Sequence, residues 1–181
     1  PDAPILAPIV NPEILPAGME VQPGPLNRLY RNGGYAYLLP LLPHAMRTLP
    51  IPDVDAVLAS HHAFANQVVW ATEAPVISYV HSPARWMWEP EMRRGELGGK
   101  AGETALAMFS ATQRHRDFVS AQKVRSLIAN STAVAERIRR WWKRDSTVIF
   151  PPVDTTFYYP DPAIPRERFA LVAGRMVPYK H

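Results

Sequence analysis

The chain has 181 residues, 47% of them hydrophobic and 20% charged, with a formal charge of +4 and no cysteine. That length and apolar content allow a buried core and exclude wholesale disorder, and the missing cysteine excludes disulfide scaffolds, thiolate metal sites and cysteine nucleophiles. No apolar run reaches the length of a membrane span, and no basic-then-apolar leader opens the sequence, which starts on Pro1 rather than Met; the expectation is a cytoplasmic chain cut from a longer one.

Eleven of the twenty prolines lie before residue 53, so the N-terminal stretch reads as irregular, with one helix over 35–48 that Pro40 and Pro43 kink or delimit. Asp53 and Asp55 form a D-x-D pattern, but they precede a strand, whereas ligands of open α/β sheets gather beyond the strands' carboxyl ends. A capping or solvated role follows, and no metal is expected. The first strand is 55–60, with His61 and His62 after it in loop or hydrogen-bonding roles. A second strand, 75–80, runs into His81. The glycine-rich stretch 95–102 lacks Gly at 94 and Ser or Thr at 101, so it is no phosphate-binding P-loop and reads as a flexible loop.

A helix follows over about 103–121, its apolar period interrupted by the polar run 113–117. The next strand is 126–129. The best helix is 132–142: Asn130 and Ser131 offer the cap, and Val134, Ile138 and Trp141 share one face. Glu136 and Arg140 are spaced to pair across one turn. Strand 147–150 leads into the proline-dense passage 151–165, which reads as a crossing between domains, and 169–173 reads as the first strand of a new sheet. These strands are short, aliphatic and not alternating, as strands buried on both faces are, and the crossovers between them imply parallel pairing with right-handed connections. The fold class is α/β: a Rossmann-like parallel sheet with flanking helices, followed by the first strand of a second such domain.

Charge concentrates in the middle. Residues 85–144 carry 13 basic and 6 acidic groups, a balance that attracts anions or, in the alternative reading, makes the chain a basic nucleic-acid or anion-binding module. No recognised nucleic-acid motif is present, and the missing G-x-G-x-x-G fingerprint weighs against a nicotinamide enzyme. His81 ends an apolar strand, with Ser82, Arg85 and two tryptophans close behind, a grouping able to bind a sugar or phosphate. Arg175 and Lys180 follow the last strand, and two cations so placed can converge on a diphosphate, one by its planar fork and one as a point charge.

In order, the blocks TyrValHisSerProAlaArgTrpMetTrpGlu (79–89), LeuIleAlaAsnSerThrAlaValAlaGluArgIleArgArgTrpTrp (127–142), ValIlePheProProValAspThrThrPheTyr (148–158) and PheAlaLeuValAlaGlyArgMetValProTyrLysHis (169–181) resemble the retaining glycosyltransferases of family 4, which have the two-domain GT-B fold. The segment 59–65 resembles a further family segment. The resemblance covers about the last two-thirds of the chain. It implies that 1–150 is most of an N-terminal acceptor-side domain lacking its first strand and glycine-rich loop, 151–166 the interdomain linker, and 167–181 the start of a donor-binding domain.

The reaction implied moves a sugar from a nucleotide-diphosphate sugar to a hydroxyl acceptor, a glycan or a lipid-linked one, without a cofactor or metal. Arg175 and Lys180 match the pair that neutralises the donor diphosphate. His81 matches a strand-end histidine facing the sugar, and Ser82 and Arg85 would contact sugar or acceptor. Asp154 matches a structural linker position. Nucleic acid is not an implied partner, and the location implied is the cytoplasm, extending to the inner face of the membrane. Glu89, where the family often has Asp, and Arg125, near which it has an acidic residue, depart from the pattern. On this reading the 181-residue chain alone is inactive.

Overall fold

Short aliphatic runs separated by helices pair side by side in chain order. The computed structural model describes residues 3–30, 36–93, 99–160, 162–163, 165 and 168–170. In the proline-rich arm, β1 (Leu6–Ala7) and β2 (Gln22–Pro23) form a two-stranded parallel sheet. The main sheet contains β3 (Val57–His62), β4 (Val76–Ser82), β5 (Ser126–Ala129) and β6 (Thr147–Val148), all parallel and in the order β3-β4-β5-β6. The helices are α1 (Leu42–Arg47), α2 (Arg85–Trp88), α3 (Lys100–Lys123) and α4 (Thr132–Arg137), which runs on as a π-turn over Ile138–Trp142. The molecule is α/β and Rossmann-like.

Several helix ends have a local cause. Pro43 sits in the first turn of α1, where its missing N–H costs nothing, so the prolines delimit that helix as the sequence predicts. Gly99 takes φ of 105° at the start of α3, a left-handed value that favours glycine. Residues 100–102 therefore open a helix rather than close a loop; 94–98 lie outside the described residues. Ser131 caps α4, its Oγ accepting from the Val134 amide at 3.3 Å. The π-turn ends at Lys143 in a left-handed conformation and leaves Trp141 and Trp142 both buried. Among the described residues the ion pairs are Arg85–Glu89 and Arg139–Asp145; the Glu136–Arg140 pair the spacing offered is not one of them.

The crossovers share one face of the sheet: α3 packs on both the short 3-10 turn Ala65–Trp70 and the π-turn, as a sequential strand order with one crossover hand requires. There Val80, Ala129, Ile138 and Trp142 are completely buried in a single core, and a side chain such as Ile138 contributes about 1.5–3 kcal/mol by leaving water. Expected burial on both faces is not what β3 shows. Ala59 and His61 are buried, but Leu58 is 72% exposed and Ser60 and His62 also face solvent. β4 alternates in the same way down to an exposed His81. With every crossover on one side, the other side of the pleat carries the accessible residues.

Strand β6 stops at Val148, though the Ile149 amide still reaches the Ala129 carbonyl at 3.0 Å. Residues 151–160 are exposed and contain neither helix nor strand. In the stretch expected as strand 169–173, Phe169 and Ala170 are exposed and in no strand among the described residues, and 171–173 lie outside the described residues.

Candidate functional site

Four strands in parallel deliver their carboxyl ends to one edge of the sheet, and the polar residues collect there: His61 and His62 on β3, His81 and Ser82 on β4, Asn130 and Ser131 after β5. Peptide carbonyls end and loops begin at this edge, so it is where open α/β sheets hold ligands. The chain leaves β3 through Ala63 at φ 57°, a left-handed turn for a residue with a Cβ.

His81 lies on the accessible face. Its Nε2 is 2.9 Å from Ser60 Oγ on the neighbouring strand, and its ring meets Tyr79 edge-on at 5.4 Å. The register between β3 and β4 shifts at His81, which is skipped, so that Ser82 is the residue opposite His62. Ser82 donates its hydroxyl to the Pro83 carbonyl at 2.9 Å, and Arg85 binds Glu89 through Nε at 3.1 Å. Ser82 and Arg85 border a cavity of about 1240 Å³ whose lining also includes Ser60 and His62 but not His81. The structure thus brings His81 to Ser60, and Ser82 to Arg85, but does not gather all three predicted residues around one space. Arg175 and Lys180 lie outside the described residues.

Beneath this edge is a buried polar network that the sequence reading missed. Asp117 on α3 is 1% exposed, and its Oδ2 accepts from Trp88 Nε1 at 2.8 Å and Trp142 Nε1 at 2.7 Å. One carboxylate thereby ties α2, α3 and the π-turn together. Burial pushes its pKa up to about 6, the two indole hydrogen bonds opposing the rise. His61 packs edge-on against the other end of the same system, its ring 5.2 Å from that of Trp142, and its Nδ1 accepts from the Asn66 amide at 3.2 Å. Asn66 Oδ1 in turn accepts from Ser78 Oγ at 2.7 Å. Burial above all, helped by the positive fields of His62 and His81, lowers the His61 pKa to about 3 despite the Asn66 bond. At neutral pH the network holds a neutral imidazole and an anionic carboxylate.

Such an edge can present an imidazole and a hydroxyl to a polar ligand, on a floor stiffened by the Trp–Asp–Trp clasp. Among the described residues no three His, Asp or Glu side chains converge on a metal position. Asp53 and Asp55 are exposed ahead of β3, at the opposite edge of the sheet. Asp154 accepts from the Thr156 hydroxyl and from the Thr156 and Phe157 amides, which hold its carboxyl below the usual range and stiffen the turn after β6. No helix among the described residues is long and apolar enough to cross a membrane. No family model, curated protein or solved structure matches this chain.

Proposed function

We propose that the chain belongs to a retaining glycosyltransferase that takes a sugar from a nucleotide-diphosphate donor and places it on a hydroxyl acceptor, a glycan or a lipid-linked one. The observation that carries the reading is the position of His81: exposed at the carboxyl edge of a Rossmann-like parallel sheet, hydrogen-bonded to Ser60, and inside the first of four blocks that resemble such enzymes in order. In this reading residues 1–150 form the acceptor-side domain, 151–166 the linker and 167–181 the start of the donor side. His81 faces the transferred sugar, Ser82 and Arg85 meet sugar or acceptor, and Arg175 and Lys180 stabilise the departing diphosphate. Two fixed cations suffice for that charge without a metal. The reaction belongs in the cytoplasm, at the inner membrane face where the acceptor is lipid-linked.

The fate of the basic residues supports sugar transfer over a nucleic-acid module. Arg114 Nε donates to the Met87 carbonyl at 2.8 Å, Arg144 to the Ala121 carbonyl at 2.7 Å, and Lys123 Nζ sits 4.0 Å from the Trp70 ring centre. Arg139 pairs with Asp145 at 3.1 Å. Contacts of this kind draw those cations away from a continuous stripe for phosphates, while Arg116, Arg125, Arg140 and Lys143 stay exposed.

The test uses the protein encoded by the reading frame extended in both directions from 1–181. Sugar release and transfer are measured with uridine, guanosine and adenosine diphosphate sugars. His81→Ala is expected to reduce turnover with donor affinity largely kept. Absence of any donor-dependent transfer or hydrolysis across the panel would overturn the proposal.

A further inference from the structure

The parallel ladder between β3 and β4 has one irregularity, and His81 sits on it. The strands pair residue for residue as far as His61 and Val80; His62 then faces Ser82, which leaves His81 as the extra residue of a bulge. A bulge bends its strand and re-aims the side chain it carries. Here the re-aimed imidazole is held. Its Nε2 lies 2.9 Å from Ser60 Oγ on β3, and its ring meets that of Tyr79 at 5.4 Å with 81° between the planes. Tyr79 is fixed in turn: its hydroxyl donates to the Ile149 carbonyl at 3.1 Å, on the far side of β5.

The bond to Ser60 decides which ring nitrogen is left for chemistry. An imidazole has two, and the hydrogen bond made by one fixes the orientation and the proton of the other. Ser60 takes Nε2. Among the described residues no group bonds Nδ1, and His81 is exposed. A serine hydroxyl donates to Nε2 or accepts from it, so it holds the ring without adding charge and leaves Nδ1 to complete a bond with another hydroxyl. The neighbouring imidazoles cannot substitute. His61 is fully buried with its Nδ1 on the Asn66 amide, and His62 lines the cavity that His81 does not border.

We propose that Ser60 is the positioning residue of His81 and that His81 meets its ligand through Nδ1, with a sugar hydroxyl as the group it binds. The identity of the ligand rests on the sugar-transfer reading; the hold of Ser60 on the ring does not. Ser60 touches no substrate and acts through the imidazole. Without its hydroxyl the ring turns about its side-chain torsions, and Nδ1 is presented in the working orientation only part of the time.

The first measurement needs no sugar. In the 181-residue chain carrying nitrogen-15 histidine, the two His81 ring nitrogens are followed by NMR at about pH 8.5, where an ordinary imidazole is neutral. Ser60→Ala should move both signals toward those of a free histidine side chain, and Ser60→Thr, which keeps the hydroxyl and suits a strand, should restore them. Signals unchanged in Ser60→Ala overturn the positioning role. The second measurement uses the protein of the extended reading frame and the panel of diphosphate sugars. An asparagine amide falls where Nδ1 lies and a glutamine amide where Nε2 lies, so His81→Asn should keep about tenfold more turnover than His81→Gln. Ser60→Ala should lower turnover about tenfold with the donor KM little changed, and Ser60→Thr should recover it. Full turnover in Ser60→Ala, or His81→Gln at least as active as His81→Asn, overturns the proposal. Absence of transfer in every version, the unaltered protein included, overturns the sugar-transfer reading and with it the ligand named here; the ring-nitrogen signals then decide the hold of Ser60 by themselves.

Discussion

Replacing Asp117 by Asn removes a buried charge while keeping an oxygen for both indole donors, because Trp88 and Trp142 bond the same Oδ2. Folding raises this carboxyl from 3.8 to about 6. The folded state therefore binds a proton between about pH 4 and 6 that the unfolded chain has released. The sign follows: this group alone makes the wild type more stable on acidification, fully so below the unfolded value. Its contribution falls as pH rises through about 6. A shift of roughly two units corresponds to about 3 kcal/mol.

The variant lacks that term, so on going from pH 7.5 to pH 4 the wild type should gain most of it, about 2 kcal/mol or more, relative to Asp117→Asn. His61 acts in the opposite sense in both proteins. Its pKa is lowered to about 3, so it stabilises above pH 6.5 and loses that contribution as pH falls toward 3. The two terms oppose each other between about pH 4 and 6 in the wild type, while the variant keeps only the His61 loss, so its stability should fall more steeply than the wild type's on acidification over this range. Urea unfolding followed by circular dichroism across this range measures both curves. A stability difference between the two proteins that is the same at pH 4 and pH 7.5 refutes the reasoning.

His61→Phe keeps an aromatic edge against Trp142 and removes the titrating nitrogen, which leaves the Asp117 term unopposed, so stability should rise relative to the wild type as pH falls from about 6 to 4; a pH profile in urea melts that runs parallel to the wild type's contradicts the assignment. Asp117→Ala orphans two indole donors and opens a void, so it should cost about 3 kcal/mol or more at neutral pH, well beyond the Asn variant; equal losses in the two variants argue against the clasp. Ser131→Ala should cost about 1 kcal/mol by uncapping α4, measured by thermal unfolding. A cost near zero means that the Val134 amide finds another acceptor.

The four strands of the main sheet and the 132–142 helix were legible because aliphatic runs and the spacing of Val134, Ile138 and Trp141 encode burial directly. The inward face of α3 was not, although its period is regular. Leu106, Ser110, Gln113, Asp117, Ser120 and Ala121 all turn inward, but four of these are polar, and Gln113 and Asp117 fall in the run 113–117 that reads as an interruption. Only the two distant indoles, at positions 88 and 142, make a buried Asp117 acceptable, and no local pattern announces them. The burial of His61 had a signal in strand alternation, visible once β3 is extended two residues to His62. Ser60 lay inside the expected strand, but its contact with His81 depends on the register between β3 and β4, which pairs Ser60 with Tyr79. That register is a tertiary fact. The accessible second face of the sheet also depends on where the crossovers pack, which strand composition alone does not state.

The central claim, sugar transfer at this sheet edge, is tested most directly on the donor cations. In the protein read through from both ends of this sequence, Arg175→Ala and Lys180→Ala should each lower donor-dependent turnover by about 10²–10³, with folding unchanged by circular dichroism. Turnover and donor affinity equal to the unaltered protein in both variants would contradict it.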